Sequence, residues 1–119
     1  MKIQYLAFLL CALFLVSCGD REDPQIKFIT PAQNFEVAAG EQFSVQVEVT
    51  DNEAISKINV GGDVNDLPIT DFDDLMKHSF IFNVTTQADT PSGAELTITV
   101  TAEDADGNKG SEDLVIKIK

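Results

Sequence analysis

The sequence predicts an all-β domain in which two antiparallel sheets pack face to face as a sandwich. After residue 24, apolar residues recur at every second position, which is the period of a strand with one face on a core. Turn signals rich in Gly, Pro, Asn and Asp separate these runs. About seven short strands with such spacing are typical of a β-sandwich.

The alternation assigns most of the strands individually. In residues 43–50, for example, Val45, Val47 and Val49 share one face, and polar residues occupy the other. Residues 70–77 resist this pattern, because they combine an N-cap type residue with apolar positions at helical spacing, so either one helical turn or an irregular loop is expected there. The predicted strands are residues 26–29, 43–50, 55–60, 80–85, 96–103 and 114–119.

The N-terminal residues indicate an export signal and not a part of the folded domain. Lys2 precedes an unbroken apolar run over residues 5–16. Twelve residues fit the apolar stretch of a signal peptide but fall short of the about 20 needed to span a bilayer. We therefore expect residues 1–17 to be removed.

The string Leu15-Val16-Ser17-Cys18-Gly19 resembles the lipobox of bacterial lipoproteins. The resemblance implies cleavage before Cys18, lipid on that residue, residues 18–24 as an acidic tether and residues 25–119 as the folded domain. Several acyl chains on one cysteine would anchor the chain stably, since one chain binds a membrane only weakly. An ordinary signal peptide with an accidental cysteine is the alternative.

The tether carries the only sequence indication of which membrane face the chain occupies. Asp20, Glu22 and Asp23 resemble the acidic tag that sends some Gram-negative lipoproteins to the outer face of the outer membrane. Arg21 interrupts that run, so a periplasm-facing position remains the alternative.

Charge and cysteine content restrict the partners of the mature chain. Loss of residues 1–17 leaves 7 basic and 20 acidic residues, a net charge of −13. This charge disfavours nucleic acid and anionic lipid as direct ligands of the surface. Cys11 leaves with the signal and Cys18 takes lipid, so no disulfide or thiolate metal site is expected in the domain.

Residues 93–108 resemble the sixth strand and following hairpin of immunoglobulin-like domains of the bacterial or cadherin-like sort. They run from a glycine through an alternating strand to an Asp-x-x-Gly-Asn turn, in which Gly107 and Asn108 tolerate positive φ. The paired cysteines, core Trp and corner Tyr of antibody domains are absent. Residues 51–55 match the style of single-domain surface lipoproteins, and that family implies no activity.

Calcium is the one cofactor that the acidic residues suggest. In immunoglobulin strand order the loops after the second, fourth and sixth strands share one end, and each of these loops is acidic. Calcium takes six to eight oxygen ligands, although solvated acidic turns are the plainer alternative and no EF-hand spacing is present. The candidate ligands are Asp51, Glu53, Asp71, Asp73, Asp74, Asp104, Asp106 and Asn108.

Catalytic chemistry finds little support in the sequence. His78 is the only histidine, and nothing pairs it with a serine such as Ser44, Ser56 or Ser79. No glycine loop with the lysine and helix context for phosphate is present. We expect no enzymatic activity and place His78 at the start of an exposed strand edge.

Glycan binding is the alternative to a function in protein interaction. Sugar sites favour Trp and Tyr, and residues 18–119 contain neither. Phe35 and Phe72 are the only aromatic residues expected in loops. The predicted function is a non-enzymatic surface module for protein interaction or spacing, meeting its partner at the end formed by residues 38–40, 86–93 and the C-terminus. A glycan-capturing lipoprotein, with or without calcium, is the alternative.

Overall fold

The computed structural model describes residues 22–71 and 76–119, and these ranges contain eight strands and no helix. All six predicted strands are present, so the all-β prediction is confirmed. The strands are β1 (Gln25–Thr30), β2 (Phe35–Val37), β3 (Gln42–Thr50), β4 (Ile55–Gly62), β5 (Leu67–Ile69), β6 (Lys77–Thr85), β7 (Glu95–Asp104) and β8 (Lys109–Ile118).

The strands form two sheets with the order β1-β3-β6 and β2-β8-β7-β4-β5. Neighbours are antiparallel except β2 and β8, which run parallel. The immunoglobulin-like sandwich predicted above is therefore present, with β2 and β5 as additions. Each addition is only three residues long, too short for alternation to appear in the sequence.

The core lies between the two sheets and consists of the alternating apolar residues. Val45 and Val47 from the small sheet meet Ile98, Leu114 and Ile116 from the large one, and all five are completely excluded from solvent. Burying a side chain of this size contributes about 1.5–3 kcal/mol. Among the described residues, every buried residue of the apolar core lies between Val37 and Ile118, so a chain without residues 1–18 keeps this core.

Three connections meet at one end of the sandwich, here called the acidic end. The β3–β4 and β7–β8 loops are joined by the Ala105 N–H, which donates to the Ala54 carbonyl at 2.8 Å. The Asp51 N–H donates to the Met76 carbonyl at 3.0 Å, which brings in the approach to β6. β1 also begins at this end, since Gln25 lies opposite Thr50.

The opposite end, here called the distal end, carries the segments expected there. The Thr86 N–H donates to the Glu41 carbonyl at 3.0 Å, and Gly40 lies beside Ala88. The Gly93 N–H donates to the Ile118 carbonyl at 2.7 Å, which places the end of β8 with them.

The ambiguous segment 70–77 is only partly described. Met76 lies in a turn and Lys77 already begins β6, whereas residues 72–75 lie outside the described ranges. Within the described part of the chain, no helix has the length and apolar character needed to cross a membrane.

Candidate functional site

Asp104 organises the β7–β8 turn at the acidic end. One of its carboxylate oxygens, Oδ1, accepts hydrogen bonds from the backbone N–H groups of Asp106 and Asn108, both at 2.9 Å. The other, Oδ2, accepts from the Asn108 side-chain amide at 3.0 Å. Gly107 completes the turn with a φ of +88°, which glycine adopts without steric cost.

The burial of Asp104 separates it from the other acidic residues. It is 2% exposed, while Asp106 in the same turn is exposed. A buried carboxylate is costly unless it is hydrogen-bonded, and here three N–H donors meet that requirement. The Ser56 hydroxyl also donates to the Asp104 carbonyl at 3.1 Å, which ties the turn to β4. Asp104 is thus a structural carboxylate of the turn.

The β3–β4 loop supplies the next predicted ligands. The Glu53 N–H donates to Asp51 Oδ2 at 3.3 Å, so this carboxylate also serves its own loop. Glu53 and Asp71 are exposed. Asp73 and Asp74 lie outside the described ranges.

These residues share one end of the sandwich without forming a compact ligand set. Across residues 22–71 and 76–119, no three His, Cys, Asp or Glu side chains lie close enough together to hold one ion. The calcium hypothesis therefore stays a prediction, since two of its residues are not described. The described geometry favours acidic turns in which the carboxylates accept hydrogen bonds from the backbone of their own loop.

The residues just before β1 are held against the sandwich. Pro24 is buried, and its carbonyl oxygen lies directly against Gly110 of β8, where a Cβ atom would collide with it. The Gln25 side-chain amide donates to the Asp23 carbonyl at 3.2 Å. The chain therefore leaves the domain beside β8 at the acidic end. Cys18 itself lies outside the described residues.

His78 is the second residue of β6, an edge strand, and lies opposite Val49 on the core-facing side. It is half-buried, and its ring stacks on Phe80 with 5.6 Å between centroids. Ser79 points to the other face of the strand because side chains alternate. The sequence predicted that His78 lies at the start of an edge strand. It did not predict that the His78 ring stacks on Phe80.

The other candidate serines have structural partners. The Ser44 hydroxyl donates to Asn83 Oδ1 at 2.7 Å across the outer face of the small sheet. The Ser56 hydroxyl donates to the Glu103 carbonyl at 3.0 Å as well as to that of Asp104. The absence of catalysis remains a prediction.

The expectation that Phe35 lies in a loop is wrong. Phe35 begins β2 and pairs with Ile116 in the parallel ladder. Its ring packs on Phe43 with 6.0 Å between centroids and an interplanar angle of 54°, which leaves the residue 39% exposed. Part of the Phe35 ring is therefore covered by packing within the fold. Phe72 lies outside the described residues.

An open groove of about 440 Å³ lies between the two sheets on the side of β5 and β6. Its apolar lining includes Val64, Leu67, Phe82 and Leu96. Leu67 was not predicted to be structured, because the β5 segment is short and contains Pro68. β5 and β6 are the edge strands of the two sheets on this side of the sandwich.

No family model and no curated protein matches the chain, but solved structures share its fold. One contains the fibronectin(III)-like modules of CbhA from Clostridium thermocellum, with 17% identity, a TM-score of 0.52 and coverage of 85% of this chain. This chain spans about half, 49%, of that chain. Another is a superoxide reductase (neelaredoxin) from Ignicoccus hospitalis, with 14% identity, a TM-score of 0.55 and coverage of 87% of this chain and 86% of that one.

These likenesses establish the architecture and nothing finer. At 14–17% identity, the likeness shows the fold alone, and the reductase activity of the second neighbour does not transfer to this chain. What they add is that the chain is similar to a fibronectin(III)-like fold, in agreement with the immunoglobulin-like sandwich expected from the sequence.

Proposed function

We propose that this protein is a non-enzymatic, lipid-anchored module of the bacterial outer membrane that presents one β-sandwich for protein contact or as a spacer. Cys18 carries the lipid, residues 19–24 form the tether, and the outer face of the membrane is the location that the acidic residues after Cys18 favour. The observation that carries the proposal is the fixed entry of the tether at Pro24.

The packing of Pro24 supports a defined orientation of the domain on the membrane. The tether has only six residues between Cys18 and Gln25, and at about 3.5 Å per residue it reaches roughly 20–25 Å. The ten residues of β7 add about 33 Å. The distal end would then stand within about 60 Å of the lipid, with the acidic end facing the membrane.

The net charge keeps the domain off an anionic surface without selecting an end, since the distal end also carries Glu41, Asp89 and Glu95. Anionic headgroups repel the carboxylates around the tether exit, which keeps the acidic end from lying flat on the surface. The distal end, with Gly40, Ala88 and the end of β8, is then the part most accessible to a partner.

The glycan alternative receives less support from the described surface. Aromatic plates bind sugar rings through an open face, and Phe35 uses part of its ring against Phe43. A calcium-bound form of either function would need ligands in addition to Asp104, whose carboxylate oxygens already serve the turn.

Metabolic labelling with palmitate in a Gram-negative host tests the proposal. The wild-type chain is expected to take up label, and Cys18→Ser is expected to lose it. Cys11→Ser is the matched control, since it changes a cysteine of the leader and should keep the label. Protease added to intact cells should degrade the domain if it is on the outer face. Unlabelled wild-type chain would refute the anchor, and full protection from protease would place the domain in the periplasm.

A further inference from the structure

Of the four strands that end a sheet, β6 is the one with a long and regular free edge. β2 and β5 have three residues each, and β5 contains Pro68. β1 has a register shift between Phe28 and Thr30 and is followed by Pro31. Short length, irregularity, proline and charged side chains, lysine above all, are the usual means by which proteins protect an edge from pairing.

β6 is neither short, irregular nor interrupted by proline, and its one lysine, Lys77, is its first residue. Its nine residues pair with β3 without any register shift, and its other edge faces no strand among the described residues. Ile81 stands at its centre on the outer face and is 66% exposed, more than any other large apolar residue described. A long, regular edge with an exposed isoleucine is suited to pairing with a further strand.

The charge of β6 also sets it apart. The strand contains Lys77 and no acidic residue, in a chain with 20 acidic and 8 basic residues. Lys77 already lies 3.8 Å from Glu48 on the neighbouring strand. Two copies brought together at β6 therefore place no carboxylate of one strand opposite a carboxylate of the other.

We infer that β6 pairs antiparallel with β6 of a second copy, which joins the two small sheets into one sheet of six strands. Full overlap of the segment 77–85 with itself fixes the register, because its central residue must lie opposite its own copy. Ile81 then faces Ile81 of the second copy on the outer face. Phe80 faces Phe82 of the second copy, and Lys77 faces Thr85.

This pairing opposes no like charges, and its remaining positions place Ser79 opposite Asn83 and His78 opposite Val84. Apolar residues oppose apolar residues at the centre, and the one lysine opposes a threonine at each end of the ladder. Aromatic and β-branched pairs of this kind are favourable cross-strand contacts. The contact is isologous, so it closes as a dimer and does not extend into a fibre.

The antiparallel arrangement has a consequence for the orientation of the two copies. β6 begins at the acidic end, so the two acidic ends lie at opposite ends of the dimer. A six-residue tether is shorter than β6 itself, which is about 30 Å long. Resting on the proposed lipid anchor and the proposed upright orientation for this step alone, the dimer would join molecules held in two facing membranes.

Sedimentation of a soluble chain without residues 1–18 tests the pairing directly. We expect a monomer–dimer equilibrium that shifts toward dimer as salt rises, because salt screens the repulsion between two acidic domains. Ile81→Lys should abolish the dimer, since it places two lysines opposite each other. Ile29→Lys changes a 39% exposed isoleucine of β1 in the same sheet and should leave the dimer intact.

A cysteine variant provides a second readout that does not depend on the lysine variants folding. The soluble chain has no cysteine, so Ile81→Cys introduces a single thiol at the predicted twofold axis. Directly opposed residues lie about 4.5–5.5 Å apart between Cα atoms, within reach of a disulfide. We expect efficient oxidation to a linked dimer for Ile81→Cys and not for Ile29→Cys.

Each outcome decides the inference. A wild-type chain that stays monomeric up to about 1 mM, a dimer that survives Ile81→Lys, or equal crosslinking at the two positions overturns it. The membrane step is tested by adding the lipidated chain to phosphatidylcholine vesicles, which should cluster with wild type and not with Ile81→Lys. A dimer without clustering would overturn only the facing-membrane orientation, whereas the palmitate experiment separately decides the anchor.

Discussion

Removing the Asp104 carboxylate should cost much more stability than removing that of its neighbour Asp106. In Asp104→Ala, the N–H groups of Asp106 and Asn108 and the Asn108 side-chain amide lose their acceptor. Hydrogen bonds to a charged group contribute about 1.5–3 kcal/mol each. The turn is at the surface, so water replaces part of each bond, and about 1 kcal/mol per bond gives a loss of about 3 kcal/mol.

Thermal unfolding of the soluble chain measures this loss. For a domain of 60–100 residues, 1 kcal/mol lowers the Tm by about 4–8 °C, so Asp104→Ala should lower it by about 12–24 °C. Asp106→Ala removes the same charge from the same turn, but only its backbone N–H takes part in the network, and alanine keeps that group. We expect a change within about 0.5 kcal/mol for this control.

Repeating both melts with calcium and with a chelator separates the structural role from the metal hypothesis. A calcium ion bound only to the folded state raises the Tm, and loss of a ligand removes that rise. If Asp104 stabilises the turn through its hydrogen bonds alone, the difference between the variants persists in chelator and calcium changes neither Tm. Equal losses of Tm in the two variants would contradict this structural role of Asp104. A calcium-dependent rise in the wild-type Tm that both substitutions abolish would also contradict it.

Two glycines yield further predictions, both measured by urea unfolding of the soluble chain. Gly110→Ala should lower the free energy of unfolding by about 1–3 kcal/mol, because the added Cβ meets the Pro24 carbonyl and displaces the start of β1; unchanged stability would mean that the tether is not held there. Gly62→Ala should cost about 2–4 kcal/mol, because φ is +87° and the Cβ would lie 2.6 Å from the Thr97 carbonyl oxygen. Gly93→Ala is the control, with a φ of +87° and no atom within 4 Å, so any excess loss at Gly62 measures the collision alone.

The alternation of apolar and polar residues predicted the strands that have one apolar face. It missed the strand segments whose residues do not alternate. β8 begins at Lys109, five residues before the predicted start, because residues 109–113 are held by pairing with β7 and not by burial of their own side chains. The first residues of β6 were missed because they are polar, although they pair with the end of β3 and the His78 ring stacks on Phe80. Ladder pairing of polar residues leaves no periodic trace in one strand.

The sequence also placed the acidic loops at one end but assigned all their residues the same role. Asp104 and Asp106 have the same side chain two positions apart, and only the path of β7 decides that Asp104 is buried. The strand alternation does carry a signal for this difference, since Ile98, Val100, Ala102 and Asp104 fall on one face. A carboxylate that continues a core-facing series is more readily a turn organiser than a metal ligand.

The negative charge of the chain offers a reason why the free edge of β6 is tolerated. Exposed carboxylates around the acidic end give two approaching domains a repulsion that acts over about 8–10 Å at moderate salt. Antiparallel approach at β6 keeps the two acidic ends apart, whereas parallel side-by-side contact would bring them together. The net charge of the chain would therefore favour the antiparallel pairing inferred for β6 over a side-by-side contact of the two acidic ends.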